Sequence, residues 1–323
     1  MASLVLVFLK VAFLSAVAVA LLAPLIGAAL LPAIRKLAPE RRAVVLLIAC
    51  WLPVLGAVLG AAMVAGPSLT SAVGLATGHC PSGASASHHH CVLHAGTGIQ
   101  LPGAGGWLMA LGIGVAWLMG RNLLALVRER RSQRALIRMG RQSTSNEHLL
   151  MLPTDHRFAG VIGLLKPRVM LSHGLIGELS DEQRAVVEAH EAAHCARRDP
   201  LRLLLARFGA LVHLPVVRRI LLSEFLLATE QTADEHAAVA VGDRLRVADT
   251  ILSVARLRPG HGGDLAFTGS VIDQRIEALA TEPQSSRFHG ALALSACAVL
   301  STAALVSPVV HHALESLLST FLG

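Results

Sequence analysis

Long uncharged runs divide this chain. Stretches at about 11–33, 43–66, 99–120 and 290–310 are each about 18 or more residues of mainly apolar character, the length of a membrane-crossing helix. Pro53 is the interruption in the second. Trp107 and Trp117 stand near the ends of the third, where interfacial tryptophans are expected. A buried helix of a soluble core can look the same, but four such runs favour membrane spans. For the first run a cleaved signal peptide is the rival reading. Lys10 is its one early charge and the run exceeds a typical signal core, so an uncleaved helix is expected.

The polar part of the chain lies between the third and fourth runs. From Asn122 to Gln142, Leu, Val and Ile alternate with Arg at helical spacing. This predicts a basic juxtamembrane helix over 121–142 lying on anionic lipid, with a solvated linker as the alternative. Residues 143–287 are enough for one compact domain. Phe158 to Ser172 is rich in Val, Leu and Ile and is punctuated by Gly163 and Pro167, which predicts a short strand or hairpin. "SDEQ", Ser180 to Gln183, is a capping box that opens a helix carrying Val186, Val187, His190 and His194.

The expected architecture is a mainly α membrane protein. Three transmembrane helices occupy 1–120, with an external loop at 67–98. A cytosolic α+β domain fills 143–287. A fourth helix and a short external tail make up 288–323. Loop charge orients it. The first connection carries Arg35, Lys36, Arg41 and Arg42, the second has no Lys or Arg, and the segment after the third run is densely basic. Positive loops stay inside, so the N-terminus is expected outside and the large domain in the cytosol.

Composition agrees. Hydrophobic residues make up 54% and charged residues 15%, against about a quarter charged in soluble proteins. The net charge of +7 sits mainly beside the apolar runs, so the membrane accounts for it and nucleic acid need not. Five cysteines do not form a disulfide scaffold. Cys50 and Cys297 fall in apolar runs, and Cys195 is either a redox handle or a packed thiol.

The chemistry centres on "HEAAH", His190 to His194. On a helix, positions i and i+4 share a face, so both imidazoles can reach one ion, with Glu191 beside them as a base for an attacking water. Catalytic zinc usually takes three protein ligands. Glu230, in "LLATEQTADEHAA", is the expected third ligand. Asp234, one turn later, can accept a hydrogen bond from a ligand imidazole. An oxyanion must also be stabilised. The chain has no tyrosine, which leaves a histidine, an arginine or the metal, with His213 and His236 as candidates.

"HEAAHCARRDPLR", the preceding "GLLKPRVMLSHGLIGELSDEQ", "TEQTAD" and "DQRIEAL" (Asp273 to Leu279) together resemble the BlaR/MecR-type membrane metallopeptidases, family 56 of the metallopeptidases. The resemblance covers most of 105–312. It implies a zincin-like fold for the cytosolic domain, Zn²⁺ at His190, His194 and Glu230, Glu191 as general base and a supporting role for Asp234. It also implies an edge strand near Val161 to Leu171 that holds substrate by main-chain pairing, and residence in a bacterial inner membrane. A cytosolic transcriptional repressor is the implied substrate. The HtpX-type peptidases, family 48, share HExxHxxxxD and ExxxD, which end here at Asp199 and Asp234; both aspartates are expected to support the ligand histidines from behind. That family usually places two helices before the domain, so topology and "RRDP" favour the BlaR type. Two features depart from it: no penicillin-binding sensor follows the fourth run, and Thr229 stands where a basic residue is expected.

A second unusual stretch is Gly78 to His94. Its His79, Cys80, His88, His89, His90, Cys91 and His94 suit Zn²⁺ or copper. A Cys80–Cys91 disulfide or a loop without a specific role fits equally. Three functions follow. They are regulated endoproteolysis, HtpX-like quality control of membrane proteins, and a non-enzymatic metal or redox sensor. The intact Glu191 argues against the last.

Overall fold

The computed structural model describes residues 19–25, 27, 29–72, 113–114, 117, 120–128, 131, 135, 137–138, 141–142, 149–257 and 265–281. Its first long helix, α1, runs Pro39–Ala72. Pro39 supplies a pre-set φ at the start, and Glu40 sits in the first turn where the helix dipole favours an acid. After Arg42 no charged residue follows through Ala72. Among the described residues, Pro39–Gly60 is the one helix long and apolar enough to cross a membrane, by length and composition. The described parts of the first and third runs, at 19–25, 29–35, 113–114, 117 and 120, are helical. Their other residues lie outside the described set, as do the fourth run and the His/Cys loop at 78–94. The chain is thus mostly helical with one candidate membrane helix, and the four-span layout remains an expectation.

The basic helix expected over 121–142 is described as helical at 120–128 and ends before Arg141. Arg141–Gln142 is instead strand β1, pairing antiparallel with Met151 and Leu150 of β2, Leu149–Leu152. The predicted hairpin is present: β3, Ala159–Ile162, pairs antiparallel with β4, Arg168–Ser172. Gly163 turns it at φ 98°, and a Cβ there would stand 2.6 Å from the Lys166 carbonyl oxygen, so only glycine fits. β2 and β4 run parallel, and the order β1-β2-β4-β3 leaves β3 at an edge.

After a short helical turn, His173–Ile176, five longer helices complete the described domain: α2, Asp181–Arg197; α3, Asp199–Gly209; α4, Pro215–Val241; α5, Arg244–Leu257; and α6, Leu265–Ala280. The capping box opens α2 as expected, with the Ser180 hydroxyl accepting from the Gln183 amide and the Gln183 side chain accepting from the Ser180 amide. α2 is the pivot of the core. Val187 packs on the sheet with Leu149, Val169 and Leu171. Val186 packs with Ala237, Val247 and Leu279 of α4, α5 and α6.

A separate cluster joins α1 to the domain. Ala43, Leu46 and Cys50 are fully buried against Ala206, Ala210, Phe225 and Ala228. The alanines let the helices approach closely, which is how apolar helices gain dispersion contact. Pro53 cannot donate the hydrogen bond that the Ala49 carbonyl would accept in an unbroken helix. His213 Nε2 lies 3.2 Å from that oxygen and 3.2 Å from the Cys50 oxygen, and supplies the missing donor. At the end of α3, Gly209 gives Trp51 its place: a Cβ on Gly209 would stand 2.7 Å from the Trp51 ring.

Gly209→Ala should therefore overpack this joint. The expected cost is about 1–3 kcal/mol, read as a lower unfolding midpoint in detergent. Trp51→Leu in the same background should recover part of it. An unchanged midpoint would mean that the α1 contact adds nothing to stability.

Candidate active site

The turn after α2 positions one side of the site. Arg198 ends the helix in the left-handed region at φ 53°, and α3 starts at the next residue, Asp199, with Pro200 in its first turn. This reversal returns the Asp199 carboxylate toward α2, where His194 Nδ1 donates to its Oδ2 at 2.8 Å. Arg197 and Arg202 each place a nitrogen 3.4 Å from the other Asp199 oxygen, which keeps the carboxylate aimed.

α4 positions the other side. It is long because Pro215 opens it and Gly242, at φ 71°, closes it, with no helix breaker between. Glu230 and Asp234 lie one turn apart and share the face toward α2. His190 Nδ1 donates to Asp234 Oδ1 at 2.9 Å. Asp234 is fully buried, and its oxygens accept from Arg275 of α6 at 2.8 and 2.7 Å. Arg275 also reaches Glu230 Oε2 at 3.1 Å.

The imidazoles are thereby oriented. A carboxylate can only accept, so the Nδ1 of each ring donates to its aspartate, and this turns the two Nε2 atoms toward each other. Those two Nε2 atoms lie 3.1 Å apart. The Glu230 oxygens lie 3.5 Å from the first and 3.7 Å from the second. Two ring nitrogens and a carboxylate this close need a proton or a metal ion among them. The three separations match the edges of a tetrahedron of ligands, about 3.3 Å for zinc bond lengths near 2.0–2.1 Å. His190, His194 and Glu230 thus fit a metal ion, and among the described residues they are the group of ligand atoms close enough to hold one.

Electrostatics favours a cation at the same place. Burial would lower the His190 pKa, but its hydrogen bonds with Asp234 and Glu230 outweigh burial and raise it to about 10. Burial would raise Glu230, yet His190 and Arg275 pull it well below the usual carboxylate range. Asp234 is lowered in the same way by Arg275 and His190 against its own burial. The surplus of negative charge must be met by protons or by a metal.

Glu191 follows His190 on α2 and lines a cavity of about 640 Å³ with the three candidate ligands. Edge strand β3 supplies Ala159, Gly160 and Val161 to one wall. The remaining walls are mainly apolar, and Leu126 of the basic helix reaches them. Thr229, where a basic residue was expected, is buried, and its hydroxyl donates to the Phe225 carbonyl at 2.8 Å. His213 and His236 do not line this cavity: His213 serves α1, and His236 Nδ1 donates to the Thr232 carbonyl at 2.7 Å. Arg275 does line it. In the sequence Arg275 is one residue of "DQRIEAL", with no local sign of a role at the site. Its signal was an Arg–Asp pair 41 residues apart, which nothing local reveals. Cys195 packs beside the sheet cluster, and burial, with Glu191 nearby, pushes its thiol up to about 12. It is a packed thiol.

An HExxH helix under a sheet edge, with a carboxylate brought in from a second helix, defines a metallopeptidase domain. Residues 125–283 match the model of Peptidase family M48. That is the second of the two families whose motifs the sequence resembles, and no match supports the BlaR/MecR-type assignment. No curated protein and no solved structure matches the chain.

The intact protein should bind about one zinc ion. Asp234→Asn should weaken zinc affinity roughly 10–100-fold by releasing the His190 ring, read by competition with a chelator. Affinity equal to that of the unaltered protein would show that the carboxylate does not orient this ligand.

Proposed function

We propose that this protein is a membrane-bound, zinc-dependent endopeptidase whose cleft faces the cytosol. The observation that carries the reading is the converging pair of Nε2 atoms with Glu230, beside Glu191 in one cavity. A zinc ion held by His190, His194 and Glu230 would polarise the scissile carbonyl and lower the pKa of a water. Glu191 is the base. It takes the proton of the attacking water and delivers it to the leaving amine. β3 is the outer strand of the described sheet and lines the cleft, and an extended peptide laid beside it would be held by main-chain hydrogen bonds. Asp199, Asp234 and Arg275 act through the ligands, fixing ring orientation and keeping the carboxylates charged.

Two substrates fit such a cleft: the inner segments of membrane proteins, cut in the HtpX manner, and a cytosolic regulator such as a transcriptional repressor. The match to Peptidase family M48 favours the first, because the HtpX-like peptidases belong to that family. Signalling proteolysis of a repressor is the second reading, and it rests on the motif resemblance alone. The external loop at 78–94, with its metal or redox chemistry, would be the natural input to a signalling protease.

Glu191→Gln removes the base and keeps the ligands. It should retain zinc while losing about 10²–10⁴-fold in cleavage rate. The measurement is a comparison of protein N-termini between cells carrying the native and the altered chain. Termini that disappear identify substrates. A set unchanged by the substitution would defeat the protease reading.

A further inference from the structure

The apolar corner between α3 and α4 has no function in the site described above. Leu205, Val212, Leu214, Val216 and Ile220 are all exposed, Val216 by 67%. Residues 200–223 hold four arginines and no acidic residue; Arg202 pairs with Asp199 and Arg207 lines the cleft, which leaves Arg218 and Arg219 beside the corner. An exposed apolar tip rimmed by arginines is the pattern of a surface that enters lipid while its cations stay with the phosphates.

The contacts with α1 give this corner a level. His213 binds the Ala49 and Cys50 carbonyls, and Gly209 packs on Trp51. Arg42 is the last charged residue before the apolar length of α1, so those contacts lie about 10–14 Å further along the helix at 1.5 Å per residue. A helix that crosses a bilayer from just beyond Arg42 carries the corner in with it. Val58 and Leu59 are exposed further along α1.

Resting on the proposal that α1 spans a membrane, we infer that the α3–α4 corner of the peptidase domain is itself immersed in the bilayer. The peptidase domain is sunk into the membrane face and is not held above it on a tether. The active site is placed accordingly. Arg42 donates to the buried Gln231 side chain, next to Glu230 in the chain. The candidate metal ligands therefore sit at the level where α1 leaves the apolar layer. The cleft would take a peptide segment lying at the lipid surface and disfavour one remote from it.

The test uses the full chain in vesicles of phosphatidylcholine and phosphatidylglycerol. A photoreactive amino acid is placed at Val216, with Leu214 as a second corner position. Val58 on α1 is one control. Val239 is the other: it is 83% exposed on the same helix as Val216 and about 35 Å further along it. Lipid adducts are read by mass spectrometry. We expect Val58, Val216 and Leu214 to be labelled at least tenfold above Val239. Labelling at Val58 with both corner positions at the Val239 level would overturn the inference and leave the membrane helix standing. No labelling at Val58 would remove the membrane helix and the inference together. Equal lipid labelling at Val239 and Val216, or adducts from the corner to a second copy of the chain in place of lipid, would also overturn it.

Discussion

Two carboxylate–imidazole hydrogen bonds hold this site together. His190 is tied to Asp234 and His194 to Asp199, each through Nδ1. Without these bonds the rings could rotate or switch tautomer. With them, both Nε2 atoms are pointed at one volume before any ion arrives. The arrangement is costly by itself, since it gathers two ring nitrogens and a carboxylate in partly buried space. A metal ion turns that cost into binding energy, so preorganisation and metal affinity have the same source.

Each supporting carboxylate is placed by a different structural device. Asp199 returns to the site because a left-handed arginine and a proline break the chain between two helices. Asp234 arrives on α4 and is buried, so it needs a cation, which α6 provides as Arg275. Three helices thereby meet at one pair of histidines. The same α4 carries Phe225 and Ala228, which pack on α1. Packing with the candidate membrane helix and positioning of Glu230 are thus properties of a single rigid element. Movement of α1 would be felt at the cleft.

Much was legible in the chain because the signals were local. The capping box, the i,i+4 histidines, the Gly163 turn of the hairpin and the ExxxD spacing each concern residues within about one or two turns of each other. Periodicity and turn chemistry determine such features without reference to the rest of the molecule. The end of the basic helix was misplaced because Arg141 and Gln142 pair with a strand whose demand for a partner is not visible at 141–142. His213 was weighed as a catalytic histidine, since its residue type suits that role. Its actual work depends on Pro53, 160 positions earlier in the chain, freeing a carbonyl.

The sequence by itself determined a helix with a candidate metal-binding face, its acidic partner helix and an apolar stretch long enough to cross a membrane. These follow from spacing on one helix face and from the length of uncharged runs. Only the tertiary structure decided which groups support the metal ligands, that Arg275 closes the acidic cluster, and that α1 is part of the domain core. Those depend on helix packing that brings together side chains about 40 to 190 residues apart. A one-dimensional pattern carries no record of such distances, because any residue of the right size and charge could in principle have filled the position.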